Sequence, residues 1–543
     1  MFILSKFLLV ACPIVPLSSL EWASLFVQRK LTMLSRVALW CLLPFVLIGG
    51  VTVAINAQEE SQRIPNTQEE AIPFTPPHKA LEAIELPDGF EVTLFAHEPD
   101  VHQPIAMTFD SKGRLWVVEN YTYSDRKENF NNELFDRVVI FEDEDNDGKF
   151  DKRKIFWDKG NKLTGIELGR GGVWLMAAPE FIFIPDADRD DVPDGPPKVI
   201  LDGFEDDEIR HNLVNGLRWG PDGWLYSRHG IQAVSHVGKP GSPISKRTPM
   251  NCCIWRYHPD QDIFEIVAEG GTNSWGFDFD KNGEMFFINT VIGHLFHVVP
   301  GARYNRMYGS HFNPYTWQTI EQTADHFHWG SNEKWFDAKK GVVGDNGTGS
   351  DATSKAGGGH AHCGFMIYQG DNWPDEFRGR AFTLNFHGRR INQEILVREG
   401  SSFVGKHAPD MFQSADPWFR GVELTYGPDG AVYVLDWSDI GECHENDGIH
   451  RTSGRIFKIA YGEPKKPEFE DLHQLSNEKL TELLGHKNAW YPRMAQRILV
   501  ERSKTWAGKE KLSADTQRLI AGLVESRGNS FQTDLLYYGH CSG

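Results

Sequence analysis

The sequence predicts an all-β protein, a six-bladed β-propeller, with a short α-helical, HEAT-like tail and an N-terminal hydrophobic targeting segment. Three observations carry this reading. One hairpin module recurs through the middle of the chain, and its turn glycines stand about 50–60 residues apart. The hydrophobic pattern changes from period 2 to period 3.6 only after Tyr461. At 543 residues the chain exceeds one ordinary domain but suits one large propeller plus extensions. Its hydrophobic fraction of 40% is enough for a large core, which excludes a disordered chain. Its 75 Asp and Glu against 56 Lys and Arg give a net charge of −19, the wrong sign for a phosphate backbone or an anionic membrane surface. Nucleic acid is therefore not an expected partner.

Residues 1–57 hold two apolar stretches, Phe2 to Leu20 and Val37 to Val53, with Arg29, Lys30 and Arg36 between them. The second stretch has the basic, apolar and small-residue order of a signal peptide, with Met33 as an alternative start. An uncleaved anchor over Val37 to Ile55 is the rival reading, because that length approaches a membrane span. Leu9-Val10-Ala11-Cys12 resembles a lipoprotein box, but the apolar run before it is short. Both main readings export the body of the protein, to the periplasm or the outer face of the cytoplasmic membrane, with membrane contact only through this segment. Residues 58–80 are polar and Pro-rich and read as a linker. Of seven Cys, Cys12 and Cys41 fall in the apolar stretches, and the odd, sparse remainder is no disulfide scaffold. The absence of C-x-x-C-H excludes covalent haem in this chain.

The propeller is expected over residues 81–461. Clear modules are Ala106 to Val118, Leu217 to Tyr226, Phe277 to Phe287 and Leu424 to Tyr433, and a weaker one has Gly171-Gly172 before Val173. In each, apolar alternation flanks an Asp-x-x-Gly or Gly-Pro-Asp-Gly turn, so Gly113, Gly172, Gly223, Gly283 and Gly430 are the expected φ > 0 positions. The long gap before Gly430 leaves room for a further hairpin, Gly364 to Tyr368 with Ala381 to Leu384. A two-sheet sandwich fits this period poorly. The aperiodic insertion 303–362, with Trp317, Trp329 and Trp335, is expected to cap one propeller mouth. Residues 462–543 turn helical, with an N-cap at Ser476, helices near 492–502 and 513–526, and the look of a beginning helical array.

Two aspartate ladders point to Ca²⁺. Asp143, Asp145, Asp147 and Asp151 take loop positions 1, 3, 5 and 9, with Gly148 at 6. Asp186, Asp188, Asp190 and Asp194 repeat that spacing. Carboxylates packed this closely repel one another unless a hard cation neutralises them; a solvated acidic turn is the plainer alternative. His360 and His362 have the spacing of an H-x-H metal pair, with ordinary packed histidines as the alternative. His211 lies just before a blade strand, where a side chain can enter the channel. His387, Arg389 and Arg420 flank strands and suit a carboxylate-bearing cofactor. Cys252-Cys253 reads as buried. No G-x-S-x-G, Walker, H-E-x-x-H or dinucleotide motif is present.

Tyr368-x-Gly370-Asp371-x-x-Pro374 and Arg420-Gly421 through Gly430 to Tyr433 resemble soluble PQQ-dependent glucose/sorbosone dehydrogenases. Gly359-His-Ala-His-Cys-Gly364, Asp371-Asn-Trp-Pro374, Asp416 to Gly421 and Asp436-Trp437 are similar to a membrane-bound dehydrogenase family, exported propellers often followed by HEAT repeats and a cytochrome c domain. The resemblance spans roughly Leu86 to Ala460. It implies oxidation of a sugar or polyol hydroxyl, with His211 as base, a PQQ-type quinone held near His387, Arg389 and Arg420, and electrons passed to a separate cytochrome c. Three departures accompany it. His211 stands one residue further from its turn, Gly271 to Gly276 lacks the family's cofactor Arg, and Trp418 replaces the first Arg of an Arg-x-Arg pair. A catalytically inactive carbohydrate- or protein-binding propeller, and a metal-dependent lactonase-like hydrolase, are the alternatives.

Overall fold

The computed structural model describes residues 64–68, 72–207, 209–332, 350–441 and 448–503. The targeting segment, Cys443, Cys541, Trp335 and the helix expected over 513–526 lie outside the described residues.

The repeated hairpins fold into six antiparallel sheets arranged as blades. Blade 1 is Pro104–Phe109, Leu115–Glu119, Asp136–Glu142 and Lys152–Gly160, and blade 2 runs from Leu163–Leu168 to Lys198–Asp202. Blade 3 runs from Asn215–Trp219 to Ile263–Gly271 and gains a parallel edge strand, Arg303–Arg306, from the insertion. Blade 4 has three strands, Phe277–Phe279, Met285–Ile288 and Leu295–His297. Blade 5 opens with the hairpin expected in the long gap, His362–Ile367 against Ala381–Asn385. Blade 6, Gly421–Tyr426, Val432–Asp436 and Arg455–Tyr461, takes its outer strand from the start of the propeller, Phe90–His97, in the register Phe90↔Tyr461 to His97↔Arg455. That exchange closes the ring, so opening it requires breaking a sheet.

The turn chemistry is uniform where the motif is clear. Gly113, Gly223, Gly283 and Gly430 have φ of 78°, 78°, 79° and 75°, a region costly for any residue with a Cβ. The weak copy differs: Arg170 and Gly171 take the positive φ, because Gly172 is already in the strand, paired with Pro185. The core consists of the faces between blades, as where Trp116, Val118 and Ile140 of blade 1 meet Ile166, Leu175 and Ile182 of blade 2.

Four α-helices are described: α1 (Pro77–Glu82), α2 (Asp351–Lys355), α3 (Asn477–Leu483) and α4 (Trp490–Ser503). Residues 64–68 and 72–80 depart from the expected linker. They are strapped to blade 6, since the extended, Pro-rich backbone exposes carbonyls that buried side chains can use. Trp418 donates to the Pro73 carbonyl at 2.9 Å, Arg451 to that of Pro65 at 3.2 Å, and Arg455 to that of Thr75.

The tail also departs from the beginning of a free-standing array. Ser476 caps α3 as expected, accepting from Lys479 N. α4, however, lies across one end of the channel. Asn488 just ahead of it donates to the carbonyls of Gly427 and Pro428 in the blade 6 turn. Gln496 donates to Pro221 O at 2.8 Å, Arg493 pairs with Asp278 at 3.3 Å, and Arg497 pairs with Glu167 at 3.4 Å. The apolar face of α4 packs with α3 and with blade residues in one core cluster.

Candidate active site at the open end of the channel

With α4 across one end, the other end of the channel is the accessible one. There the starts of the six inner strands contribute Ile105, Thr164, Leu213, Trp275, Cys363 and Val422 to a ring. The ring bounds a cavity of about 900 Å³, its open mouth included. Tyr123, Phe130, Phe386 and Trp437 build aromatic walls, and Asn120, Asn273, Thr290 and Asp439 add polar groups.

His211 is in this cavity, as the sequence predicts. Its Nδ1 lies 3.4 Å from the Tyr123 hydroxyl, and its carbonyl accepts from the Trp275 indole at 2.9 Å. Tyr123 is itself fixed edge-on against Trp437, with ring centroids 5.7 Å apart. An imidazole held at one nitrogen by a phenol, in an aromatic enclosure, is equipped to take or return a proton.

The expected cofactor contacts are not gathered with it. Arg420 uses all three guanidinium nitrogens on loop carbonyls, those of Gly441, Pro417, Phe419 and Ile440, at 2.7–3.1 Å. Arg389 sits at φ 52° in the turn between two blade 5 strands, with its carbonyl accepting from Ser414 N. His387 packs its ring against His360, centroids 4.7 Å apart. None of the three lines the cavity, and among the described residues no Lys or Arg does. Its polar groups are amides, hydroxyls, an imidazole and the carboxylate of Asp439, so the wall does not fit a tricarboxylate gripped by charge pairing.

At each aspartate ladder three carboxylates converge: Asp143, Asp145 and Asp151, and Asp186, Asp188 and Asp194. Asp147 and Asp190 stand outside these groups and accept from Lys149 N and Val192 N, while backbone N–H groups also donate to Asp143, Asp145, Asp151 and Asp194. Burial, and then the charges of Asp191, Asp190, Asp188 and Asp194, push the Asp186 carboxyl up to about 6. Cys252 and Cys253 are buried, and burial pushes the Cys252 thiol up to about 12. Among described insertion residues only Ala361 lines the cavity; Trp317 is 92% exposed and does not cap it.

His360 and His362 do not converge on one point. Strand alternation begins only at His362, after three glycines with φ between 102° and 134°, so His360 turns to His387. His362 Nε2 instead meets His328 Nδ1 at 2.7 Å. It thereby borders a cluster that sequence reasoning missed. Nε2 of His294, His326 and His328 lie 3.3, 3.1 and 3.0 Å from Glu394 Oε1. Burial and the neighbouring His294 push His328 down to about 3, and burial likewise lowers His294. Burial raises the Glu394 carboxyl, but the contacts with these rings and with His407 outweigh it and hold it well below the usual carboxylate range. The available signal was a second H-x-H pair, His326-Phe327-His328, in the insertion.

A comparison with curated proteins finds no match. Among solved structures, the chain is similar to a glucose dehydrogenase of Thermus thermophilus (15% identity, TM-score 0.42, 68% of this chain and 99% of that one). It is also similar to the PQQ-bound aldose sugar dehydrogenase of Streptomyces coelicolor (12%, 0.41, 69% and 100%). A third is the PQQ domain of pyranose dehydrogenase from Coprinopsis cinerea (12%, 0.42, 69% and 97%). A family described as a domain of unknown function, DUF7133, matches residues 76–460, from α1 to the closing strand of blade 6. On that match, which takes in all six blades, the chain belongs to the DUF7133 family.

Proposed function

We propose that this protein is an exported propeller oxidoreductase that oxidises a hydroxyl of a sugar or polyol at the open end of its channel. The observation that carries the reading is the placement of His211 beside Tyr123 in an enclosure walled by aromatic rings. Aromatic faces suit the C–H faces of a sugar ring, and amides and hydroxyls suit its OH groups. His211 takes the proton of the reacting hydroxyl, Tyr123 holds the imidazole ring, and the walls limit water. The motif resemblance supports the dehydrogenase class and implies a quinone-type acceptor with a separate cytochrome c as onward partner. The described wall offers such a group stacking and neutral donors, not arginines. Ca²⁺ at the two aspartate ladders is a structural part of the same proposal.

The aromatic wall, free of cationic side chains among the described residues, favours a second reading, a carbohydrate-binding propeller without turnover. The deciding experiment supplies the full chain with PQQ and Ca²⁺ and follows reduction of an artificial acceptor over a panel of aldoses and polyols, with calorimetric binding in parallel. Turnover that falls about 10²–10⁴-fold in His211→Gln supports the oxidoreductase. Binding without turnover supports the second reading, and the absence of both binding and turnover refutes both.

A further inference from the structure

From the side chains packed between blades 4 and 5 we infer that His294, His326, His328 and Glu394 form a binding site for one borderline divalent transition metal, which clamps the insertion to the propeller.

Four of the six ligand–ligand distances match a tetrahedral centre. With metal–ligand distances of 2.0–2.1 Å, the ligand atoms of a tetrahedron stand about 3.3 Å apart. The three Nε2 atoms lie 3.0–3.3 Å from Glu394 Oε1, and those of His326 and His328 lie 3.3 Å from each other. All four ligand atoms fall within 4.8 Å of one another.

Proton placement points the same way. His326 Nδ1 lies 2.9 Å from Asp325 Oδ1, which as a carboxylate can only accept. The Nδ1 proton of His326 is thus directed outward, and in the neutral ring its Nε2 lone pair faces the lone pairs of Glu394 Oε1. A second proton on His326 or a metal ion removes that repulsion, and three imidazole nitrogens converging on the one oxygen suit the metal. His328 is oriented the same way by its Nδ1 contact with His362, so Asp325 and His362 serve as outer partners of two ligands. Glu394 Oε2 is buried and has no hydrogen-bond partner among the described residues. A metal ion held at Oε1 would offset the charge that this unpartnered oxygen carries. Three imidazoles and one carboxylate select borderline ions such as Zn²⁺, Co²⁺ or Fe²⁺ over Ca²⁺.

The ligands come from three elements. His294 precedes the last strand of blade 4, Glu394 is in Arg390–Glu399 of blade 5, and His326 and His328 belong to the insertion. The His326 side chain is 20% exposed, which gives an entry path from the surface.

The test uses the full chain, stripped with chelator and kept in excess Ca²⁺ so that the aspartate ladders do not compete. Titration with Co²⁺ is expected to produce the visible absorption of a tetrahedral centre, saturating at about one equivalent, and to raise the melting temperature. His326→Ala, the least buried ligand, and the isosteric Glu394→Gln should each abolish the absorption and the thermal shift. His362→Asn should weaken binding about 10–100-fold without abolishing it. Should Glu394→Gln fail to fold, His326→Ala decides alone. No Co²⁺ spectrum in the folded wild type, or one unchanged in His326→Ala, overturns the inference. A spectrum without a thermal shift refutes the clamp.

Discussion

Ring closure by strand exchange can be challenged at Arg455. This residue ends the pairing of Arg455–Tyr461 with Phe90–His97, opposite His97. Its side chain is 0% exposed and pairs with Asp416 at 3.0 Å and Glu98 at 3.1 Å, the Asp416 side chain being 1% exposed. Arg455→Met keeps much of the packing but leaves Asp416 as a buried anion without its cation. Breaking such a pair costs about 3–5 kcal/mol, because one charge is left desolvated. With an unfolding entropy of about 2.1 cal/mol/K per residue and roughly 400 folded residues, each kcal/mol moves the melting point by about 1.2 °C. The expected drop is therefore about 4–6 °C in a thermal melt of the full chain. Combining Arg455→Met with Asp416→Asn and Glu98→Gln removes the stranded charges and should recover more than half of the loss. The amide oxygen introduced by Asp416→Asn can still accept from Trp418 N, as Asp416 Oδ1 does. A single-variant drop below about 1 °C, or a triple variant no more stable than the single, would refute the reasoning.

Burial pushes the Asp136 carboxyl up to about 6 from 3.8, although it accepts from Thr122 N, Thr122 Oγ1 and Leu163 N. The folded state thus holds a proton that the unfolded state releases between those values. Stability from this group is full below pH 3.8 and falls through about 6, by roughly 3 kcal/mol. Asp136→Asn should remove that downward slope in urea melts across this window, and an unchanged slope contradicts it. Asn488→Ala loses two bonds to the blade 6 turn and the cap on Trp490 N. It should cost about 1–3 kcal/mol and raise amide exchange in α4 before the blades, whereas uniform exchange would deny α4 its anchor. Gly430→Ala should be clearly worse than Gly379→Ala. Both have positive φ, but a Cβ at 430 would lie 2.6 Å from Asn372 N while one at 379 meets nothing within 4 Å. Denaturant midpoints separate the two by more than about 1 kcal/mol if close approach, not φ alone, requires Gly430.

The legible parts of the site and fold are those written in local order. The Asp-x-x-Gly turns were readable because a φ near 75° excludes most residues at one position, and His211 because it stands next to a strand that had to line the channel. Arg420 misled for an equally physical reason. A cationic side chain near a strand end suits a carboxylate ligand, but it serves equally well to gather the carbonyls of a tight loop. His360 and His362 misled because period-2 alternation was applied to residues ahead of the strand, where three glycines set the backbone instead.

By itself the sequence determined the number of blades, the turn positions, the helical character of the tail and one channel histidine, since each depends on residues near one another in the chain. Tertiary structure alone decided that the Pro-rich strap lies along blade 6, that α4 closes one end of the channel, and that His294, His326, His328 and Glu394 meet. These are contacts between segments far apart in sequence, and no local periodicity encodes a distance that only the closed ring of blades sets.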